Sequence, residues 1–172
     1  MIYRFRVILD NDTEDDIFRD LEILETDTME DLHNIITQSF GFDGIEMASF
    51  YMSDNEWNQG EEIAMMDMSE IGNEVKIMST TIIKDVVHEA SPKLIYVYDF
   101  LNMWTFYVEL AEIVEETIGT NYPNLMFAYG QIPDEAPVKI FNSDTIPNNL
   151  SEFEDSLDVD DYENLDFEEN WN

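Results

Sequence analysis

The sequence predicts an α+β fold, in which a mostly antiparallel sheet has one helix packed across it. Strands are indicated where apolar and polar residues alternate with a period of two, first over residues 2–9 and again over residues 93–110. A helix is indicated over residues 28–40, where the apolar residues recur at spacings of three, four and seven. The apolar content of 44% is ample for the core of one such domain.

The first strand pair is predicted over residues 2–9 and 17–24, with a polar turn over residues 10–16 between them. Tyr3, Phe5, Val7 and Leu9 alternate with polar positions, which is typical of a strand with one wet face. The returning strand is less regular.

The turn between these strands contains Asp10, Asp12 and Glu14, at the i, i+2, i+4 spacing of a calcium loop. Its sixth position is Asp15, where an EF-hand needs glycine, and its twelfth is Leu21, where it needs glutamate. We therefore favour a solvated turn and keep the three acids as the only candidate metal ligands.

The predicted helix begins after Thr28, which forms a capping-box pattern with Asp31, and it ends at Gly41. His33 lies at the edge of its apolar stripe. A single histidine there is usually a packing residue, and a general base needs an orienting partner that the sequence does not place. His33 is kept as a candidate catalytic residue.

The block from Lys93 to Leu110 is predicted to be a core hairpin. A three-residue loop would pair Phe100 with Trp104, giving one apolar face, and Asp99 would lie opposite Thr105. We expect an odd-length turn or a bulge, with a positive φ at Asn102. A membrane span is disfavoured, because an acid at its centre costs about 2.5–3.5 kcal/mol and basic flanks are lacking.

The remaining segments have shorter patterns. In chain order we predict a strand at 46–53, a loop at 54–60, a strand or helix at 61–68, a short helix at 80–89 that ends before Pro92, a continuation of the hairpin strand at 111–118, a turn and strand at 121–131, and an extended connection at 132–149.

The chain is predicted to have one domain, residues 1–149, followed by an acidic aromatic tail, residues 150–172. The stretch from Ser151 to Asn172 contains ten acids and no base, which is typical of a disordered or interaction tail. Ser151 and Glu154 form a capping-box pattern, so one or two helical turns are predicted within it.

The net charge of −33, from 40 acids and 7 bases, excludes a basic nucleic-acid-binding surface. The first interpretation of such a charge is solubility. The second is an acidic face that meets a basic partner or mimics DNA. The chain has no cysteine, which suits a reducing cytoplasm, and its N-terminus does not look like a signal peptide. We expect no direct nucleic-acid binding, no membrane association and no cofactor.

Three stretches resemble the plasmid pRiA4b ORF-3-like family, which includes insertion-element passenger proteins. They are DLHNIITQSFGF from Asp31 to Phe42, ASFY from Ala48 to Tyr51, and YVYDF from Tyr96 to Phe100 followed by Trp104. The matched polar and aromatic positions are His33, Tyr98, Asp99 and Trp104. The family's Gly-Asp turn is Leu101-Asn102 here, so this chain has lost part of any polar site at that turn. The resemblance implies a fold and a genomic neighbourhood, but no mechanism.

Three functions remain open. The first is a non-catalytic cytoplasmic accessory or interaction protein that engages a basic or apolar protein partner. The second is a hydrolase or nucleic-acid-processing enzyme, whose candidate residues His33, Tyr98 and Asp99 must then meet in one cleft. The third is an acidic DNA mimic that binds a basic partner. The order hairpin, helix, strands is β-grasp-like by analogy, and this analogy carries no function.

Overall fold

The computed structural model describes residues 1–70, 72 and 74–138. Residues Met1–Pro137 form one compact unit, which is described below. The predicted boundary between residues 149 and 150 and the predicted tail capping box both lie outside the described residues.

The described residues form one eight-stranded sheet. Its strands are β1 (Ile2–Leu9), β2 (Phe18–Leu24), β3 (Ala48–Ser53), β4 (Gln59–Ala64), β5 (Lys76–Ile77), β6 (Lys93–Tyr98), β7 (Trp104–Val114) and β8 (Asn124–Tyr129). Their spatial order is β5-β4-β3-β6-β7-β1-β2-β8, and only the β4–β5 pair is parallel. The predicted α+β class with a mostly antiparallel sheet is therefore confirmed, whereas the β-grasp comparison stays an analogy.

Helix α1 (Met29–Phe40) begins and ends as predicted. The Thr28 hydroxyl accepts from the Asp31 amide, and the Asp31 carboxylate accepts from the Thr28 amide, which completes the capping box. Gly41 ends the helix with a φ of 79°, a left-handed conformation that glycine adopts without strain. The apolar stripe of α1 packs on the sheet, where the Phe40 ring lies 4.7 Å from that of Phe106.

The central hairpin has a longer turn than predicted. Tyr98 pairs with Trp104 and Tyr96 pairs with Phe106, so the turn is the five residues 99–103. The predicted pairing of Phe100 with Trp104 and of Asp99 with Thr105 is wrong by two positions. Because a shift of two keeps each side chain on its face, the predicted apolar face and odd turn length are confirmed.

The cause of the longer turn is Asp99. Its carboxylate accepts from the amides of Leu101 (3.1 Å) and Asn102 (3.4 Å), which favours a local turn over the strand ladder. The positive φ values are at Asp99 (60°) and Met103 (58°), and not at Asn102 as predicted. Aspartate tolerates this conformation because its short polar side chain bonds the local backbone.

Strand pairing determines the structure of the shorter segments. The ambiguous residues 61–68 contain the end of β4. The strand continuation predicted over residues 111–118 is present only as far as Val114, where β7 ends. The helix expected over residues 80–89 is reduced to a 3₁₀ turn, Met78–Thr80, and a four-residue helix α2, Ile83–Val86. Helix α2 ends at Val86, and the β-bridge between His88 and Ser91 then turns the chain into β6.

Candidate functional site: the acidic end of the sheet

The strand directions bring five loops to one end of the sheet. β1, β4, β6 and β8 end there, and β2, β3 and β7 begin there, as the pairings of Leu9 with Phe106 and Tyr98 with Ala48 show. We call this region the acidic end; it comprises residues 10–17, 41–47, 65–70, 99–103 and 130–137.

The acidic end has twelve carboxylates and no lysine, arginine or histidine. The acids are Asp10, Asp12, Glu14, Asp15, Asp16, Asp43, Glu46, Asp67, Glu70, Asp99, Asp134 and Glu135. Lys84 and Lys93 lie at the other end, at α2 and at the start of β6. The twelve acids of these loops thus have no compensating lysine, arginine or histidine within the loops.

Large apolar side chains are exposed among these acids. Leu101 is 94% exposed, Ile45 79% and Met68 76%, and Phe100, Met66 and Met103 are each close to half exposed. An apolar surface rimmed by polar groups marks interaction sites more often than does a scattering of single apolar residues.

A depression at this end has a volume of about 560 Å³ and lies between residues 11–17 and 129–137. Ile17, Tyr129 and Pro133 supply apolar walls, and Asp12, Asp15, Asp16 and Glu135 supply carboxylates. Such a depression has the chemistry to hold a cationic side chain with an aliphatic stem.

Tyr98 is a buried link between the hairpin and the loop that follows α1. Its hydroxyl donates to Asp43 Oδ1 (2.8 Å) and accepts from the Gly44 amide (3.1 Å), and its ring stacks on that of Phe42 (4.5 Å between centroids). Burial first, and the Asp43 hydrogen bond second, raise the pKa of Tyr98. The phenol is thus held neutral by structural partners.

Trp104 completes this aromatic cluster. It is buried, and its ring meets that of Phe42 edge-on at 5.3 Å. Asp99, in the adjacent turn, directs its carboxylate to the Asn102 amide side chain and the Leu101 amide, and these bonds lower its pKa. Both matched positions therefore hold the hairpin turn and its packing.

His33 lies away from this cluster, on the buried face of α1. It is 2% exposed, and its Nδ1 shares a hydrogen bond of 2.7 Å with the hydroxyl of the fully buried Tyr96. Burial lowers the pKa of His33 and raises that of Tyr96. The structure thus gives His33, Tyr98 and Asp99 three different side-chain partners: Tyr96, Asp43 and Asn102.

The His33–Tyr96 pair predicts a pH dependence of stability. Burial lowers the folded pKa of His33 below 6.5, so its unfolded form takes up a proton first as pH falls. Its contribution is therefore complete above about pH 6.5 and is lost as pH falls toward the lowered pKa. We expect His33→Gln to remove this part of the pH slope in urea unfolding, and to cost about 1–3 kcal/mol at neutral pH because Tyr96 loses its partner.

His88, which is exposed, supplies the matched control for the substitution, and His88→Gln is expected to change the free energy of unfolding at neutral pH by no more than about 0.5 kcal/mol. Identical slopes for wild type and His33→Gln between about pH 6.5 and pH 5 would show that His33 is not held neutral by the fold.

The three candidate metal ligands of the turn do not form a cation site with other acids or histidines among the described residues. No cluster of three or more histidine, aspartate or glutamate side chains suited to a metal ion occurs in residues 1–70, 72 and 74–138. Asp10 faces Tyr107, whose pKa is raised by burial and by this carboxylate, and Asp12 and Glu14 are exposed in the turn.

Arg19 is a buried charged residue that the sequence patterns did not single out. Its Nε donates to the Ser39 carbonyl (2.9 Å), and its Nη1 donates to the carbonyls of Phe18, Tyr129 and Gly130 (2.9–3.1 Å). Its guanidinium also lies 4.6 Å from the centre of the Phe40 ring. Arg19 therefore joins β2, the end of α1 and the end of β8 beside the large depression. The alternation Arg19, Leu21, Ile23 placed it on the apolar face and was the available signal.

Fold and site together define a small, mostly antiparallel α+β domain with an acidic, partly apolar end. The chain belongs to the plasmid pRiA4b ORF-3-like protein family, whose model matches residues 1–140. A crystal structure of a protein of unknown function from Methanosarcina mazei Go1 is similar, with a TM-score of 0.64 and 20% identity over 74% of this chain and 68% of that chain. This likeness concerns the fold alone. No curated protein matches this chain.

Proposed function

We propose that this chain is a non-catalytic cytoplasmic accessory protein that binds a basic, partly apolar segment of a partner protein. The observation that carries the proposal is the acidic end, where twelve carboxylates and no cation surround exposed apolar side chains. Because these loops contain no lysine, arginine or histidine, their carboxylates attract a basic partner over a Debye length of about 8–10 Å. The apolar side chains then supply contacts that charge alone does not.

The side-chain arrangement favours binding over catalysis. A general base must reach the proton that it abstracts, within about 3 Å or through one water. His33 is closed into the core with Tyr96, and the oxygens of Asp99 are engaged by its own turn. The residues matched to the family thus support the surface rather than present reactive groups on it.

The proposed location rests on the lack of cysteine, which suits a reducing compartment. In the part of the chain that the structure describes, none of the helices has the length and apolarity needed to cross a bilayer.

Neutralising part of the acidic end should weaken partner binding. We expect the triple variant Asp12→Asn, Glu14→Gln, Glu135→Gln to lose about 1–2 kcal/mol of binding free energy, roughly tenfold in affinity, because each exposed charge near a basic partner contributes a few tenths to one kcal/mol. All three side chains are exposed, and none makes a side-chain hydrogen bond among the described residues that the fold would lose. Quantitative capture from a host lysate by the tagged full chain, at low and at high salt, measures the effect.

The matched control is the triple variant Glu56→Gln, Glu115→Gln, Glu116→Gln, which removes the same charge from exposed positions at the opposite end. It should retain the wild-type partners, and high salt should release them from both proteins. Equal losses of partner binding in the two triple variants, or capture that does not depend on salt concentration, would contradict a role for the acidic end. Captured proteins that are all DNA-binding, and that duplex DNA displaces, would favour the DNA-mimic function instead.

A further inference from the structure

A methionine-lined groove lies at the acidic end, on the sheet face opposite α1. It has a volume of about 190 Å³, and its lining includes Met47, Met66, Met68, Val75 and Phe100. Its floor is formed by the ends of β3 and β4, where Ser49 and Ala64 alternate with the core residues Phe50 and Ile63. The hairpin turn therefore closes one side of the groove and the 65–70 loop closes another.

The groove is apolar yet accessible to solvent. Met66 is 51% exposed, Met68 76% and Phe100 44%, and Leu101 beside Phe100 extends the apolar surface at 94% exposure. Methionine is flexible and polarisable, which suits a surface that adapts to an inserted side chain. Sites for a whole small molecule are about 300–1,000 Å³, so a groove of this size fits one bulky side chain.

The acidic residues around the groove favour an occupant with positive charge. Glu62 and Ser69 lie on its rim, and Asp67 and Glu70 lie in the loop that forms its wall. No basic residue lines it. A segment that brings lysine or arginine beside a bulky apolar side chain is complementary to both features.

We infer that this groove is the anchor pocket for a basic segment of a partner protein, which inserts one bulky apolar side chain among Met66, Met68 and Phe100. The inference rests on the proposed function and assigns to it a pocket and the chemistry of the occupant. A single buried apolar anchor with charged contacts around it is the usual source of specificity in such recognition.

The probe is a synthetic peptide with leucines at helical i, i+3, i+4 and i+7 positions and lysines elsewhere, compared with a peptide in which serine replaces each leucine. The full chain is labelled with ¹³C at its methionine methyl groups and titrated in NMR. We expect the signals of Met66 and Met68 to shift with the lysine–leucine peptide, whereas Met126, which is 45% exposed and lies on β8, stays unchanged.

Affinity is measured in parallel by fluorescence anisotropy. The variant Met66→Gln, Met68→Gln should bind the lysine–leucine peptide about tenfold more weakly, and Met126→Gln should bind it like wild type. Both variants replace exposed side chains, and thermal unfolding verifies that they fold.

The outcomes separate the two proposals. Binding that shifts only methionines outside the groove, or equal affinity for the two peptides, leaves a charge-driven interaction protein but overturns the anchor groove. Binding of neither peptide at low salt overturns both.

Discussion

Replacement of Arg19 by alanine is expected to lower the free energy of unfolding by about 3 kcal/mol, because carbonyls from three elements lose their shared donor together. The guanidinium donates to the carbonyls of Ser39, Phe18, Tyr129 and Gly130 and is 7% exposed as a residue. Its charge also lies against the carboxyl end of α1, where a cation is favoured by the helix dipole. Chemical denaturation of the full chain measures the loss.

Two variants make this prediction specific. Arg6→Ala removes a guanidinium that pairs with Asp20 through two hydrogen bonds, but on the wet face, and should cost at most about 1 kcal/mol. Arg19→Lys keeps the charge but not the fork of donors, so its loss should fall between those of Arg6→Ala and Arg19→Ala. A loss for Arg19→Ala as small as that for Arg6→Ala would mean that water replaces the guanidinium.

Replacement of Phe106 by alanine is expected to cost about 3–5 kcal/mol. Phe106 is fully buried at the centre of the sheet, and its ring lies within 4.7–6.1 Å of the rings of Phe40, Phe42 and Tyr96. Its truncation leaves a cavity where α1 meets the central hairpin. Because a close-packed core relaxes only in part, the lost transfer free energy and the cavity both contribute.

Phe127→Ala supplies the comparison for an aromatic residue of the same size. Phe127 is 52% exposed on β8, where it contacts Phe18, so its truncation should cost about 1 kcal/mol or less. Similar losses for Phe106→Ala and Phe127→Ala in urea unfolding would show that the helix–hairpin contact is not the densest part of the core.

The parts of the fold that were predicted correctly depend on local sequence patterns. The Thr28–Asp31 capping box and Gly41 place both ends of α1, because each depends on residues within one helical turn. The alternation in the central hairpin placed Tyr96, Tyr98, Trp104 and Phe106 on one face even though the turn length was wrong by two. The register depends on whether the residues next to the turn pair as strands or form local hydrogen bonds. The Asp99 carboxylate accepts from the amides of Leu101 and Asn102, which favours the longer turn.

Long-range pairing accounts for what was missed. The position of His33 at the edge of its stripe did not show that Tyr96, 63 residues later, closes over it with a hydrogen bond. Likewise, the sequence pattern left strand and helix open for residues 61–68, and it did not show that β4 ends at Ala64 and leaves Met66 and Met68 exposed beside the hairpin turn.

The sequence by itself determined the charge, the lack of cysteine, the helix with its caps, and the alternating strands with their buried faces, since all of these follow from composition or from neighbours along the chain. Only the tertiary structure decided where the acids lie relative to one another. The order β5-β4-β3-β6-β7-β1-β2-β8 brings loops separated by as many as 120 residues to one end of the sheet. Because strand order is set by packing across the whole core, no local pattern reveals that twelve carboxylates and an apolar groove share that end.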